Sequence, residues 1–477
     1  MTARASSPEI SWTALVSGAT DDLDGQAVEI AGWLRPVEAT GRRDYALLVP
    51  ESLCCVGCAP GDRRTTVEVF FEQSVPCLPG EVRVAGAFRR LDDDDPAGWR
   101  YQLRDAGIIA STPSASVFTR RALLGAGPLL CLAAAAPRAA STQADTRIAA
   151  GQALAGALTI DIHSHAGRVI GRTNVPSNAP FTPVAASMRE GGMAVICLAM
   201  VADTPILELT PDRRIRAMRE AEPGELYEWS RLSFARLAAL VQQQDLHAVT
   251  DLASLTAAPA RGPSVLIAAE GADFLEGRIE RLEEAHREHR LRHLQLTHYR
   301  VNELGDIQTT AAVHGGLTGF GAEVIRHCNR MGIVVDVAHG TLDLVKRAAA
   351  VTTKPLVLSH TSLANRPFPY SRLISPDHAR LVAGTGGVIG IWPPSSIFSD
   401  LAALAAGIAR MVDVAGIDHV GLGTDMNGLT APPTFASYQQ LPDLAASLTA
   451  HGFHADEIRK LLGGNYARVF AATVAHS

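Results

Sequence analysis

The chain has 477 residues, 47% of them apolar and 19% charged, with a formal net charge of −6. That length exceeds one ordinary domain, and the composition suits a globular enzyme with a sizeable core. No basic stripe is present, which excludes nucleic acid as a partner, because phosphate neutralisation needs clustered Lys and Arg.

The first part, residues 1–115, reads as all-β. Five short runs, Ala27–Leu34, Asp44–Val49, Thr65–Phe71, Glu81–Phe88 and Trp99–Arg104, are separated by Gly and Pro. Strands of this number and length predict a small OB-like barrel. The stretch VEIAGWLRPVE followed by DYALLVPESLCCVGCAP resembles a bacterial domain family of unknown function, usually found in exported proteins. Four of the seven cysteines, Cys54, Cys55, Cys58 and Cys77, fall here; the others are Cys131, Cys197 and Cys328. Cys-Cys-x-x-Cys invites a metal or redox reading. Without a second C-x-x-C or a His cluster nearby, a disulfide to Cys77 or free thiols is the better account.

Residues 116–150 break the chain in two. The sequence FTRRALLGAGPLLCLAAAAPRAA (118–140) sets Arg120 and Arg121 before fifteen uncharged residues, Ala122 to Ala136, and then a small-residue exit. A basic region, a short apolar core and such an exit are the parts of an export signal, and the twin arginine is Tat-like. The run is short for a membrane span, which needs about 20 residues. The alternative is an Ala-rich linker or buried helix. Either a domain precedes an internal anchor, or translation starts near Val117 and the first domain is a fused neighbour. The expected location is the periplasm or the membrane surface, with membrane association through 118–140.

Residues 151–477 alternate apolar runs with helix-like stretches. The runs are Leu158–His163, Met193–Met200, Ser264–Glu270, His293–His298, Gly332–His339, Pro355–His360, Gly387–Ile391 and His419–Asp425. Near-continuous apolar runs suit parallel strands covered on both faces, and eight βα units predict a (β/α)8 TIM-type barrel in an α/β chain.

The ends of those runs carry the chemistry. They include His163 and His165, Glu270, His298, His339, His360 and Asp425. In such a barrel the strand ends meet at one face, so these residues converge, and a His/Glu/Asp cluster is what a metal site requires. His163 and His165 lie two apart and share a side of the strand. Glu270 has two carboxylate oxygens and can bridge two zinc ions, with His339 and His360 completing the second. Hydroxide between two such cations forms near neutral pH and can attack a polarised carbonyl, so amide hydrolysis needs no Ser or Cys nucleophile.

An ordered set of motifs then identifies a resemblance: EGADFLEG (270–277), LTHYRVNELGD (296–306), GLTGFGAEVIRHCNRMGIVVDVAH (316–339), PLVLSHTSLANRP (355–367), SRLIS (371–375), GGVIGI (386–391), VGLGTDMNG (420–428) and LLGGNYARVF (461–470). Together they resemble the membrane (renal-type) dipeptidase family of the amidohydrolase superfamily. The resemblance implies two Zn2+ held by His163, His165, Glu270, His339 and His360, with Glu270 bridging. It implies that His298 contacts the substrate carbonyl and steadies the oxyanion. Arg372 would hold the substrate carboxylate, and Asp425 would shuttle a proton to the leaving amine. The implied partner is a small peptide substrate; a homodimer stays open.

Two positions depart from the family pattern. His165 stands where the family has Asp, which makes the first metal position more cationic. Met426-Asn427 stands where the family has Phe-Asp. Elsewhere, RIERLEEAHREHRLR (278–292) reads as a solvated helix face holding His286 and His289. The histidines His247, His314, His327, His451 and His454 carry no functional role. Competing substrates are another amide, such as an N-acyl amino acid, dehydropeptide, β-lactam or Cys-Gly conjugate. A reading of a different class is a non-catalytic binding protein in which the N-terminal domain does the work, and the complete ligand set argues against it.

Overall fold

The computed structural model describes residues 7–36, 42–50, 66–76, 80–91, 101–111, 151, 154–167, 169, 180–210, 214–364, 371–429 and 432–475. Cys54, Cys55, Cys58, Cys77, Cys131 and the segment 118–140 lie outside the described residues. Among the described residues, no helix is long and apolar enough to cross a membrane.

The N-terminal part is a closed five-stranded barrel, as its run pattern predicts. Its strands are β1 (Ala27–Pro36), β2 (Arg42–Val49), β3 (Val67–Pro76), β4 (Glu81–Arg90) and β5 (Tyr101–Ser111). They follow the order β1-β2-β3-β5-β4. Only β3 and β5 run parallel; the other neighbours are antiparallel. Alternate residues point inward, so Val67, Val69 and Phe71 of β3 join Tyr101 and Leu103 of β5 in one core. Both strands continue past their apolar runs, because ladder hydrogen bonds persist where polar side chains face outward.

The second part is an eight-stranded parallel barrel surrounded by helices. Its ring comprises β6 (Ile160–Ser164), β7 (Val195–Val201), β11 (Ser264–Glu270), β12 (His293–Gln295), β13 (Val334–Asp336), β14 (Val357–Thr361), β15 (Val388–Ile391) and β16 (Val420–Leu422). Between β7 and β11 the chain makes a hairpin, β8 (Leu207–Leu209) with β9 (Ile215–Ala217), then adds a two-residue strand β10 (His247–Ala248) beside β11. β7 pairs directly with β11, and β16 pairs with β6 through Leu422 and Asp161, which closes the ring.

Each strand serves two cores. On β7, Val195, Cys197 and Ala199 face the barrel interior, and Ile196, Leu198 and Met200 face the surrounding helices. That double burial is why the runs read as continuous rather than alternating. The final helix, Asn465–Val474, sends Tyr466 and Phe470 into the interior cluster. The Tyr466 hydroxyl lies 2.8 Å from His293 Nδ1, and His293 Nε2 lies 3.1 Å from Asp336 Oδ2. His293 is therefore a structural residue inside the barrel.

The regular strands stop earlier than three of the apolar runs. His298, His339 and Asp425 stand beyond β12, β13 and β16. His339 and Asp425 adopt left-handed backbone, with φ of 65° and 51°. The helix face at 278–292 is also less solvated than its charge suggests: the His289 ring stacks on Phe234, centroids 4.8 Å apart.

Candidate metal centre

Glu270 closes β11 and is buried at the centre of the cluster. Its Oε1 lies 3.5 Å from His163 Nε2, 3.3 Å from His339 Nε2 and 3.4 Å from both His298 Nε2 and His360 Nε2. Its Oε2 lies 3.1 Å from His165 Nε2. The histidines form two pairs, with Nε2 atoms 3.1 Å apart in His163/His165 and again in His339/His360. Asp425 Oδ1 stands 3.3 Å from His165 Nε2.

This donor set fits divalent cations. Four donors about 2.0 Å from a tetrahedral zinc stand about 3.3 Å from each other, which is the spacing seen. Three groups of donor atoms lie within 4.8 Å of one another: His163, His165 and Asp425; His163, Glu270 and His360; and Glu270, His298 and His339. Imidazole and carboxylate without thiolate suit zinc or a similar borderline cation. Among the described residues, buried His339 Nδ1 has no hydrogen-bond partner.

The electrostatics follow from burial and crowding. Burial alone would raise the Glu270 carboxyl, but His298 and His163 hold it well below the usual carboxylate range. Burial drives the His360 imidazole down to about 4 and His339 well below its ordinary value. Both thus present neutral lone pairs. Burial would lower His165 too, but its contacts with Asp425 and Glu270 push it up to about 10. Asp425 is held below its ordinary value, burial being outweighed by His165 and His360.

Several residues that sequence reasoning passed over hold the ligands in place. Asp161 Oδ1 accepts from the backbone N of His163 at 3.3 Å and of Thr424 at 2.9 Å. Its Oδ2 accepts from Thr424 Oγ1 at 2.6 Å and the Tyr438 hydroxyl at 2.8 Å. Burial raises this carboxyl to about 6. Asp336 Oδ1 accepts from Ala338 N at 2.9 Å and Ser359 N at 3.0 Å, fixing the turn that carries His339 and the strand that carries His360. His165 Nδ1 is 2.8 Å from the Ala199 carbonyl, and His360 Nδ1 is 2.9 Å from Ser359 Oγ. Such partners orient ligand imidazoles and are half of a metal site.

His298 faces Glu270 from the other side of the site. Its Nδ1 lies 2.7 Å from Asp203 Oδ1, and Asp203 Oδ2 accepts from Tyr299 N at 3.0 Å. Burial opposes protonation of His298, yet Asp203 and Glu270 raise it to about 8. Asp203 follows the second apolar run by a few residues, and a search just past Met200 could have found it. Arg372 is partly buried at the mouth. Its Nη1 donates to Gln308 Oε1 at 2.8 Å and its Nη2 to the His360 carbonyl at 3.2 Å. No carboxylate among the described residues pairs with it.

The structure therefore brings together His163, His165, Glu270, His298, His339, His360, Asp425 and Arg372 at one face. The two departures also find places. Met426 is buried in the outer core, and its backbone bridges to Ser164. Asn427 takes φ 65°, which Asn tolerates better than most residues. Gly428 must stay small, because a Cβ there would stand 1.9 Å from Asp425 Oδ1.

The family model for membrane dipeptidase (peptidase family M19) matches residues 185–477. Dipeptidase aclJ of Aspergillus oryzae is 31% identical over 43% of this chain and 50% of its own length. Dipeptidase verJ of Clonostachys rogersoniana is 28% identical over 38% of this chain and 47% of its own. The chain spans about half the length of these curated relatives. Among solved structures, the probable dipeptidase PvdM from Pseudomonas aeruginosa has a TM-score of 0.57 at 16% identity, covering 70% of this chain and 99% of its own. A metallo peptidase from Rhodobacter sphaeroides, solved with a phosphinate mimic of the dipeptide L-Ala-D-Ala, has a TM-score of 0.54 at 21% identity, covering 66% and 99%. At these identities the solved structures show a shared fold.

Proposed function

Because the chain belongs to the membrane dipeptidase family, we propose that it is a binuclear zinc dipeptidase, cleaving a peptide bond next to a free carboxylate. The observation that carries this reading is Glu270, whose one carboxylate reaches both histidine pairs, with Oε2 beside His165 and Oε1 beside His163, His339 and His360. His163, His165 and Glu270 would hold one cation, and Glu270, His339 and His360 the other. Cations held there would supply a nucleophile from water near neutral pH and part of the electrophilic activation of a carbonyl.

The chain's own residues do the rest. Arg372 has two neutral acceptors and no acidic partner among the described residues, so a substrate carboxylate is the anion it can pair with. That contact sets the scissile carbonyl toward Glu270 and His298. His298, tied to Asp203 and carrying a proton, offers Nε2–H to the oxygen that gains charge. Asp425 is ionised and stands beside His165, so its Oδ1 can take a proton from the attacking water and return it to the leaving amine.

The test combines metal analysis and kinetics on the full chain. Zinc-saturated protein should hold about two ions per chain, one for each group of ligands. Arg372→Ala should raise KM for free dipeptides roughly tenfold or more, and leave C-terminally amidated ones almost unchanged. Full activity with a single tightly bound ion would sink the binuclear reading, and equal losses on both substrates would remove Arg372 from carboxylate recognition. We also place the barrel outside the cytoplasm, supported by Arg120-Arg121 and the uncharged run after them. Cell fractionation and N-terminal sequencing from the native host test that, and an intact chain in the cytoplasm would overturn it.

A further inference from the structure

The outer face of the N-terminal barrel holds a buried charge. Along β3, Val67, Val69 and Phe71 face the core, so Glu68 points outward. It is nevertheless fully buried. Its strand partner Gln102 on β5, equally outward and equally buried, donates Nε2–H to Glu68 Oε2 at 2.9 Å. Arg104, one outward position along, donates to Gln102 Oε1 and lies over the Phe70 ring at 3.8 Å.

A further donor to Glu68 comes from the other domain. Arg214 Nη2 reaches Glu68 Oε2 at 2.8 Å. Arg214 sits in the turn of the β8–β9 hairpin, where its backbone N donates to Thr210 Oγ1 at 3.1 Å and Thr210 N donates back to its carbonyl at 2.8 Å. An ion pair this dry is costly unless both partners stay together, so it marks a lasting contact rather than a chance encounter.

The hairpin needs that support. Its strands have three residues each, and Leu209 and Met218 are more than half exposed, at 55% and 52%. A two-stranded ribbon without an apolar face of its own is marginal in water. At its base Met218 N donates to the carbonyl of buried Ile206 at 2.9 Å, which closes the ribbon. The chain enters it directly after β7, whose last residue, Val201, is in register with Glu270. Asp203, the carboxylate that holds His298, stands at the start of the short turn Thr204–Ile206 leading into β8.

We propose that the N-terminal barrel is a clamp docked on the catalytic face through Glu68 and Arg214. It holds the β8–β9 hairpin beside the site mouth and thereby steadies Asp203 and the orientation of His298. The outward face of β3 and β5 is thus an internal docking surface whose partner is the chain's own hairpin. Arg214 and Glu68 are positioning residues that act through Asp203. The docking stands apart from the proposed reaction, and only the kinetic readout rests on it.

The experiment is hydrogen exchange by mass spectrometry on the zinc-loaded full chain, with Glu68→Gln, Arg214→Met and Arg214→Lys beside the parent. Exchange in residues 204–217 should quicken about tenfold in Glu68→Gln and Arg214→Met, local opening being governed by the contacts that hold a segment. Arg214→Lys should recover most of the protection. On dipeptides, the first two variants should lose about threefold or more in kcat/KM while keeping their zinc, since a loosened His298 weakens stabilisation of the transition state. Arg214→Met lies outside both cores, so it reports even where Glu68→Gln fails to fold. Unchanged exchange in the hairpin of a folded Arg214→Met would overturn the clamp. Faster exchange with unchanged kcat/KM would overturn its link to His298.

Discussion

Glu270 can face both histidine pairs because it is the last residue of a fully buried strand, with neighbours on either side that end at the same level. Asp425 works from a less regular place, held at φ 51° by its backbone N–H to the His163 carbonyl at 2.9 Å. Asp425→Asn should therefore lower kcat by about a hundredfold or more, because a carboxamide cannot take and return a proton. Zinc content measured on the same sample should stay unchanged, and retained turnover would move the shuttle elsewhere. A second residue contributes to acid sensitivity. Burial presses the His378 imidazole from 6.5 down to about 4. Above pH 6.5 neither the folded nor the unfolded form binds that proton, so there is no penalty. As pH falls toward 4 the unfolded chain takes a proton that the folded one refuses, and stability drops by up to about 3 kcal/mol. Melting temperature followed from about pH 7 to about pH 4 should fall less steeply in His378→Gln. At this scale the ligands were legible because each ends an apolar run, as a polar residue must when it turns toward the site. Asp203, Gln308 and Tyr438 were not, since their roles come from contacts with residues distant in sequence.

Elements were legible where both faces are buried. The runs behind β7, β11 and β14 match their strands closely. The runs behind β12, β13 and β16 overshoot, because apolar residues continue into turns that pack under the site. The motif LLGGNYARVF has an explanation only in three dimensions. Gly463 passes so close to β6 that a Cβ would stand 2.0 Å from the Leu158 carbonyl. Asn465 Nδ2 donates to the Ile417 carbonyl at 2.7 Å and the Val420 carbonyl at 2.8 Å, tying the last helix to the start of β16. Asn465→Ala leaves both carbonyls without that donor and should cost about 2 kcal/mol. Chemical denaturation should show the loss while zinc content holds, and an unchanged midpoint would mean the helix is held by Tyr466 and Phe470 alone.

For the whole molecule, composition and run spacing indicated two folded units, and the structure shows a five-stranded barrel and an eight-stranded one. What spacing could not reveal is the long excursion between β7 and β11, which pair as neighbours although the hairpin, β10 and the helices Glu225–Gln243 and Leu252–Arg261 lie between them. The donor cluster gathers side chains from six of the eight ring strands or their loops. Bound cations should therefore brace the ring as well as serve the reaction, because whatever binds only the folded state stabilises it. Chelation of the zinc-loaded protein should lower its melting temperature by several degrees, and added zinc should restore it. A melt indifferent to chelation would show that the cluster holds no cation of structural weight.

The ring closes where β16 meets β6, through Leu422 against Asp161 and the bridge from Ser164 to Met426. Those partners stand at opposite ends of the barrel sequence, so this seam is the most non-local contact in it and carries the largest loop-closure entropy. The His165 backbone N donates to the Met426 carbonyl, and Asp161 accepts from Thr424 N and Oγ1. On a growing chain, His163 and His165 emerge early and wait with their anchors missing until the eighth strand arrives. Assembly thus doubles as timing: cation capture by the complete set of ligands is a late folding event, and a truncated or stalled product carries histidines without a centre.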